Sequence, residues 1–69
     1  MGKSIYQKLG DNIRAIRTKQ NMSQGAVARA LGLDKSYISH VENGKKNPTL
    51  RTIEKIAKIL QTTVNDLTK

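Results

Sequence analysis

The chain has 69 residues and a formal net charge of +8, with 13 lysines and arginines against five aspartates and glutamates. A chain of this length forms one domain at most, so we expect residues 1–69 to be a single domain. The absence of cysteine excludes disulfides and thiolate metal ligands, and a single histidine argues against a structural zinc site. Stability must therefore come from helix packing or dimerisation.

The positive charge indicates a polyanionic partner, with nucleic acid first and an anionic membrane surface second. The alternative is a solvated basic surface that only aids solubility. No apolar run approaches the roughly 18 residues of a membrane span, and the N-terminus lacks the apolar core of a signal peptide. We expect a soluble, cytoplasmic protein with no membrane partner.

The first helix is predicted over residues 4–20, because Leu9, Ile13 and Ile16 recur at i, i+4 and i+7. Gly10 inside this helix is unfavourable by about 1 kcal/mol relative to alanine. A close approach of another helix would explain its presence.

The second helix follows a break in the pattern. Ser23 is a good N-cap, Val27, Ala28 and Leu31 form the apolar stripe, and Gly32 suits a left-handed C-cap. A new, separate helix is therefore expected after Gly32.

The third helix is predicted over residues 35–43, with Asp34 acting mostly as its N-cap. Ile38 and Val41 would face inward, and Gly44 is the C-cap signal. Two short helices joined by a tight glycine turn form a helix-turn-helix, here over about residues 23–43. In that motif the second helix enters the DNA major groove.

The remaining helices begin at threonines. Pro48 lies in a loop, Thr49 caps the fourth helix, and Thr63 with Asp66 resembles a capping box for a short fifth helix. The predicted inward residues are Leu50, Ile53, Ile56, Ala57 and Leu60 in the fourth helix and Val64 and Leu67 in the fifth. No segment alternates with period two, so no sheet is predicted.

The stretch "SQGAVARALGLDKSYISHVENGK" resembles the helix-turn-helix of the lambda-repressor/Cro-like (Xre-type) transcriptional regulators. The matching features are Gln24, Ala28, Gly32 and the "ENG" sequence. The flanks "LGDNIRAIRTKQNMS" and "NPTLRTIEKIAKIL" are similar to the first and fourth helices of that family, so the likeness covers residues 6–67. It implies an all-α, lambda-repressor-like DNA-binding domain of five short helices.

The resemblance implies that Lys35, Ser36 and His40 reach base edges in the major groove. Lysine can donate to guanine, and serine can serve several bases. An idle, exposed His40 is the alternative. Tyr37 is expected to be exposed, where it would contact the backbone or a thymine methyl group, or pack against the start of its own helix.

Backbone contacts are implied at both ends of the helix-turn-helix. Helix N-termini favour anions, so the start of the second helix can hold a phosphate. For Ser23 a simple capping role is the alternative, and for Lys46 and Arg51 a solvated surface role. The implied backbone-contacting residues are Ser23, Gln24, Asn43, Lys45, Lys46 and Arg51.

Two further features follow from the resemblance. Arg17 and Glu42 would form a salt bridge that locks the first helix to the third, against the alternative of two independent surface charges. A homodimer is expected near Val64 to Leu67 and the adjoining end of the fourth helix. The base-reading set differs from the glutamine or arginine common in the family, so no operator sequence can be transferred.

Rival functions receive less support. Catalysis would need a nucleophile–base pair, clustered carboxylates or a metal set, and the five acidic residues are scattered. Sequence-specific RNA binding usually relies on aromatic platforms, and Tyr6 and Tyr37 are the only aromatics. No cofactor, metal or small-molecule effector is indicated.

We therefore expect a sequence-specific regulator of transcription that binds double-stranded DNA and is complete in this chain. It would be a repressor that binds a pseudo-palindromic operator as a dimer. The alternative is a DNA-binding antitoxin or a restriction–modification controller, whose role depends on a protein partner or on promoter arrangement.

Overall fold

The computed structural model describes residues 4–69, in which five helices follow one another. They are α1 (Ile5–Lys19), α2 (Gln24–Leu31), α3 (Lys35–Glu42), α4 (Leu50–Ile59) and α5 (Val64–Thr68). No strand occurs in this part of the chain. The predicted all-α fold and the order of the five helices are confirmed.

Four of the helices have a serine or threonine side chain as their N-cap. Ser23, Thr49 and Thr63 each accept a hydrogen bond from the backbone N–H three residues later, as expected of N-caps. Ser4 does the same for α1 and forms a reciprocal capping box with Gln7. The capping box predicted for Thr63 is formed on one side only, since the Asp66 carboxylate accepts from the Thr62 hydroxyl at 3.1 Å. Each such cap stabilises its helix by about 1 kcal/mol relative to alanine.

The predicted side-chain cap at Asp34 is wrong. Asp34 occupies the N-cap position of α3 with extended backbone angles, but its carboxylate makes no capping hydrogen bond. The N–H of Tyr37 donates instead to the main-chain oxygen of Asp34 at 3.0 Å. The Tyr37 N–H, which the Asp34 carboxylate was expected to bind, is therefore bound by the Asp34 main-chain oxygen.

A single core lies where the five helices meet, with α1 packed on α3 and α5, and α2 on α3 and α4. Its largest fully buried side chains are Ile13, Ile38, Ile56, Leu60, Leu67, Val27 and Val41. Gly10 allows α1 to approach α3 closely, because a Cβ there would lie 2.5 Å from the carbonyl oxygens of both Val41 and Glu42. The close approach predicted at this glycine is confirmed.

One residue assigned to the core lies outside it. Leu50 was expected on the inner stripe of α4, but it is 64% exposed. Side chains of a helix lean toward its N-terminus, so the first residue of α4 points beyond the end of the helix. Ile53, one turn later, is partly buried against the core.

Polar side chains of α1 and of its C-cap residue also bind the C-terminal helices. The Asn12 amide donates to the carbonyl oxygens of Leu67 and Lys69 at 2.9 and 3.0 Å. The Gln20 amide donates to the Leu60 carbonyl at 3.2 Å.

No helix in residues 4–69 combines the length and the hydropathy that a membrane span requires.

Candidate nucleic-acid interface

The turn between α2 and α3 depends on Gly32, which has a φ of +73°. This left-handed conformation is costly for residues with a Cβ and is open to glycine. The N–H of Leu33 donates to the Ala28 carbonyl at 2.9 Å, which closes the end of α2. The chain can then restart as α3 only three residues after Gly32, so the two helices form a helix-turn-helix.

Helix α3 has one buried and one exposed face. Ile38 and Val41 are fully enclosed in the core, as predicted. Lys35, Ser36 and His40 are exposed, so the three side chains expected to reach base edges all face solvent. A helix anchored on one side and polar on the other is suited to insertion into a groove.

Tyr37 departs from its expected exposure. Tyr37 is partly buried, because its side chain packs against the hydrophobic core. The ammonium group of Lys46 lies 5.8 Å from the ring centroid, within the range of a cation–π contact. Part of the Tyr37 side chain therefore packs against the core. Its predicted contacts, with DNA or with the start of its own helix, remain predictions.

The expected backbone-contacting residues lie around α3. Ser23 is exposed at the start of α2, with its hydroxyl accepting the Ala26 N–H at 3.0 Å. Gln24 is half-buried, and its amide donates to Glu42 at 3.0 Å. The other four members of the set are exposed: Asn43, Lys45, Lys46 and Arg51.

Glu42 is the one buried charged residue among residues 4–69, and the predicted salt bridge with Arg17 is present. Arg17 Nε donates to Glu42 Oε2 at 2.6 Å, and Arg17 Nη2 donates to Oε1 at 3.1 Å. Arg17 Nη1 donates to the Met22 carbonyl at 2.8 Å. The pair therefore joins α1, the segment before α2, and the C-terminal end of α3.

Two further donors to Glu42 were not foreseen. Arg14 Nε and the Gln24 amide both donate to Glu42 Oε1, at 3.2 and 3.0 Å. Arg14 lies off the apolar stripe formed by Leu9, Ile13 and Ile16, and half of its side chain is exposed. The available signal was its i, i+3 spacing from Arg17, which puts both guanidinium groups on one side of α1.

These donors determine the charge state of the carboxylate. Burial acts to raise the pKa of Glu42, but the hydrogen bonds from Arg17, Gln24 and Arg14 together outweigh it. The pKa of Glu42 consequently lies below its ordinary value. The group is an ionised, fully hydrogen-bonded carboxylate at neutral pH.

The dimer contact expected at Leu67 requires correction. The Leu67 side chain is fully buried in the core of its own subunit, so it cannot also contact a second copy without opening that core. Val64 is partly buried against the same core. The correction therefore applies to Leu67 alone, and the dimer contact at Val64 remains a prediction.

Comparison with known proteins gives close relatives over nearly the whole chain. The control protein C.BamHI from Bacillus amyloliquefaciens is 41% identical over 68 residues, which is 97% of this chain and 84% of that protein. The control protein C.SmaI from Serratia marcescens is 40% identical over 63 residues, covering 91% of this chain and 75% of that protein.

A solved structure shares the fold. The crystal structure of the restriction-modification controller protein C.AhdI from Aeromonas hydrophila superposes with a TM-score of 0.85 and 37% identity, covering 90% of this chain and 94% of that one. The helix-turn-helix family model HTH_3 matches residues 13–67. The chain belongs to this helix-turn-helix family, and it is a DNA-binding regulator of transcription.

Proposed function

We propose that the protein binds a pseudo-palindromic operator as a homodimer and inserts α3 of each subunit into the major groove. The observation that carries this proposal is the two-faced α3, which has a fixed inner side and an exposed outer side. The net charge of +8 supports attraction to the DNA backbone.

Sequence would be read at the start of α3. Lys35 and Ser36 occupy its first turn and His40 lies one turn later, so all three can face base edges when the helix N-terminus enters the groove. Lys35 is assigned to a guanine edge, since lysine donates to its O6 and N7 atoms. Tyr37 is left with at most a marginal base contact, because much of its ring packs on the core.

The backbone would be held on both sides of this helix. Ser23 and Gln24 lie at the N-terminus of α2, where free N–H groups favour a phosphate. Asn43, Lys45 and Lys46 follow α3, and Arg51 lies in the first turn of α4. These contacts would fix the position of α3 without specifying bases.

Dimerisation would supply the length of the site. One module buries only about 600–1,000 Å² on DNA, and two-fold dimers place their half-sites about 34–36 Å apart. We assign the dimer contact to exposed side chains around α5 and the end of α4, with Val64 at its edge and Leu67 confined to the core. Sedimentation that detects only monomer at high concentration, both with and without operator DNA, would refute the dimer.

The biological setting favoured by the relatives is control of restriction–modification genes. C.BamHI and C.SmaI are named control proteins, and C.AhdI is described as a restriction-modification controller of nearly the same length. We propose the same role here, in the cytoplasm, with no catalytic step. An operator that overlaps the promoter would make the protein a repressor.

The decisive experiment is selection of bound sequences from a random pool of duplex DNA. Recovery of a two-fold motif with half-sites one helical turn apart is the expected result. The selected duplex should then outcompete duplex RNA and anionic lipid vesicles. Recovery of no motif, together with equal binding to duplex RNA, would overturn sequence-specific DNA binding.

A further inference from the structure

Helix α1 brings a cation to the C-terminal end of the proposed DNA-reading face. Ser36, His40 and Asn43 are exposed and lie at i, i+4 and i+7, so they form one row along α3 and its C-cap. Arg14 Nη2 donates to Asn43 Oδ1 at 3.2 Å, at the end of this row. The Arg14 guanidinium of α1 thus lies beside a surface whose other residues all belong to the helix-turn-helix or its C-cap.

The charge of Arg14 is not needed to neutralise Glu42. Arg17 donates to both oxygens of that carboxylate and is itself only 14% exposed. Arg14 contributes one further hydrogen bond at 3.2 Å while half of its side chain remains exposed. The Arg14–Arg17–Glu42 group therefore carries one surplus positive charge, and Arg14 presents it to solvent.

Arg14 is also held in one orientation. Its Nε is fixed by Glu42 and its Nη2 by Asn43. Two of the five guanidinium N–H groups are committed within residues 4–69, and up to three can serve a ligand. A guanidinium fixed in advance loses less conformational entropy when it binds a phosphate oxygen than a free lysine does.

A groove beside this guanidinium has room for a phosphate. It has a volume of about 280 Å³ and is lined by Gln7, Asp11, Arg14, Glu42 and Asn43. Because Asp11 lines the same groove, attraction of an anion would depend on Arg14 itself rather than on a general excess of positive charge.

We propose that Arg14, held by Glu42 and Asn43, binds a phosphate of the DNA backbone at the C-terminal end of α3. This inference rests on the proposed insertion of α3 into the major groove. It assigns a DNA contact to α1, outside the helix-turn-helix and its following loop.

The test compares Arg14→Gln with Arg14→Lys and with Lys55→Gln. Arg14→Gln removes the charge, Arg14→Lys keeps it, and Lys55→Gln removes an equal charge from an exposed position of α4 to which no role is assigned. Binding of each protein to the selected operator and to a scrambled duplex is measured over a salt series. Melting temperatures are recorded on the same samples.

Arg14→Gln should weaken binding to both duplexes by the same factor and lower the magnitude of the salt slope by about 0.9 per subunit. Arg14→Lys should keep most of the slope, and Lys55→Gln should keep all of it. A parental slope for Arg14→Gln, with or without a lower melting temperature, would reduce Arg14 to a structural role. Equal slopes for Arg14→Gln and Lys55→Gln would also overturn the proposal.

A second measurement compares the parent with Arg14→Gln. Operator phosphates are replaced one at a time by neutral methylphosphonates. We expect one position near the edge of each half-site whose replacement weakens binding by the parent more than it weakens binding by Arg14→Gln, which has already lost the contact. Identical profiles for the two proteins would refute the contact. If the parent protein shows no preference for duplex DNA, the proposed function itself fails. If the parent binds the operator specifically and the Arg14 variants bind it with the same affinity and salt slope, only the Arg14 contact is refuted.

Discussion

Replacement of Glu42 by alanine should destabilise the fold far more than alanine replacement of Lys35 or Ser36, which are exposed on α3. The Glu42 side chain has no exposed surface and accepts hydrogen bonds from Arg14, Arg17 and Gln24. Removing one partner of a buried ion pair typically costs about 3–5 kcal/mol, because the other charge stays buried. Arg14 is half-exposed and can rehydrate, so we expect about 3 kcal/mol, the lower end of that range.

Urea and thermal unfolding, followed by helical circular dichroism, would measure this loss. A domain of this size shifts its melting temperature by about 4–8 °C per kcal/mol, so a fall of about 12–24 °C is expected for Glu42→Ala. Lys35→Ala and Ser36→Ala are exposed controls, and each should change stability by no more than about 0.5 kcal/mol. Glu42→Gln keeps an acceptor without the charge and should fall between. A melting temperature for Glu42→Ala within a degree of the parent would show that the buried pair contributes nothing.

Three further outcomes are expected. Lys35→Ala should weaken operator binding by about 1–3 kcal/mol per half-site and relax the choice at one base position. Lys45→Ala should weaken binding to operator and scrambled duplex alike, and lower the magnitude of the salt slope by about one per subunit. Equal losses for Lys35→Ala on both duplexes would make Lys35 a phosphate contact. Gly10→Ala should lower the free energy of unfolding by about 1–2 kcal/mol in urea, because the clash with two carbonyl oxygens exceeds the helix-propensity gain, and a more stable protein would contradict the close packing. The pKa of Glu42 is below its ordinary 4.5, so its contribution to stability is complete above that pH and is lost as the pH falls through the lowered value. Urea titrations from about pH 7 to pH 3 should show a smaller acid-induced loss for Glu42→Gln than for the parent.

The helices were predictable because local rules determine them. The spacing of Leu9 and Ile13 locates α1, the hydroxyls of Ser23 and Thr49 begin their helices, and Gly32 ends α2. These signals act within one or two turns, so they are visible in the sequence. The errors occurred where the backbone or the end of a helix decided the outcome. At Asp34 the main-chain oxygen, and not the carboxylate, accepts the N–H of Tyr37. Leu50 is exposed because the first residue of α4 points beyond the end of the helix.

The candidate site was predictable in outline and not in its connections. Helical periodicity places Lys35 and His40 outward because Ile38 must face the core. Periodicity gives the direction of the Cβ atom, however, and not where a long side chain ends. Arg14 has its Cα on the solvent side of α1 and still reaches Glu42, and Gln24 reaches the same oxygen from α2. Such meetings between distant helices depend on how the helices are docked, which no local pattern specifies.

The Glu42 group connects stability to DNA binding through shared atoms. Glu42 is the last residue of α3, and its donors come from α1 and from the first turn of α2. The carboxylate therefore fixes the angle at which α3 is presented relative to the N-terminus of α2. Those are the two elements that the proposed complex must place on the groove and on a phosphate at the same time. Folded variants with a weakened Glu42 group should consequently lose operator affinity even though Glu42, having no exposed side-chain surface, contacts no DNA.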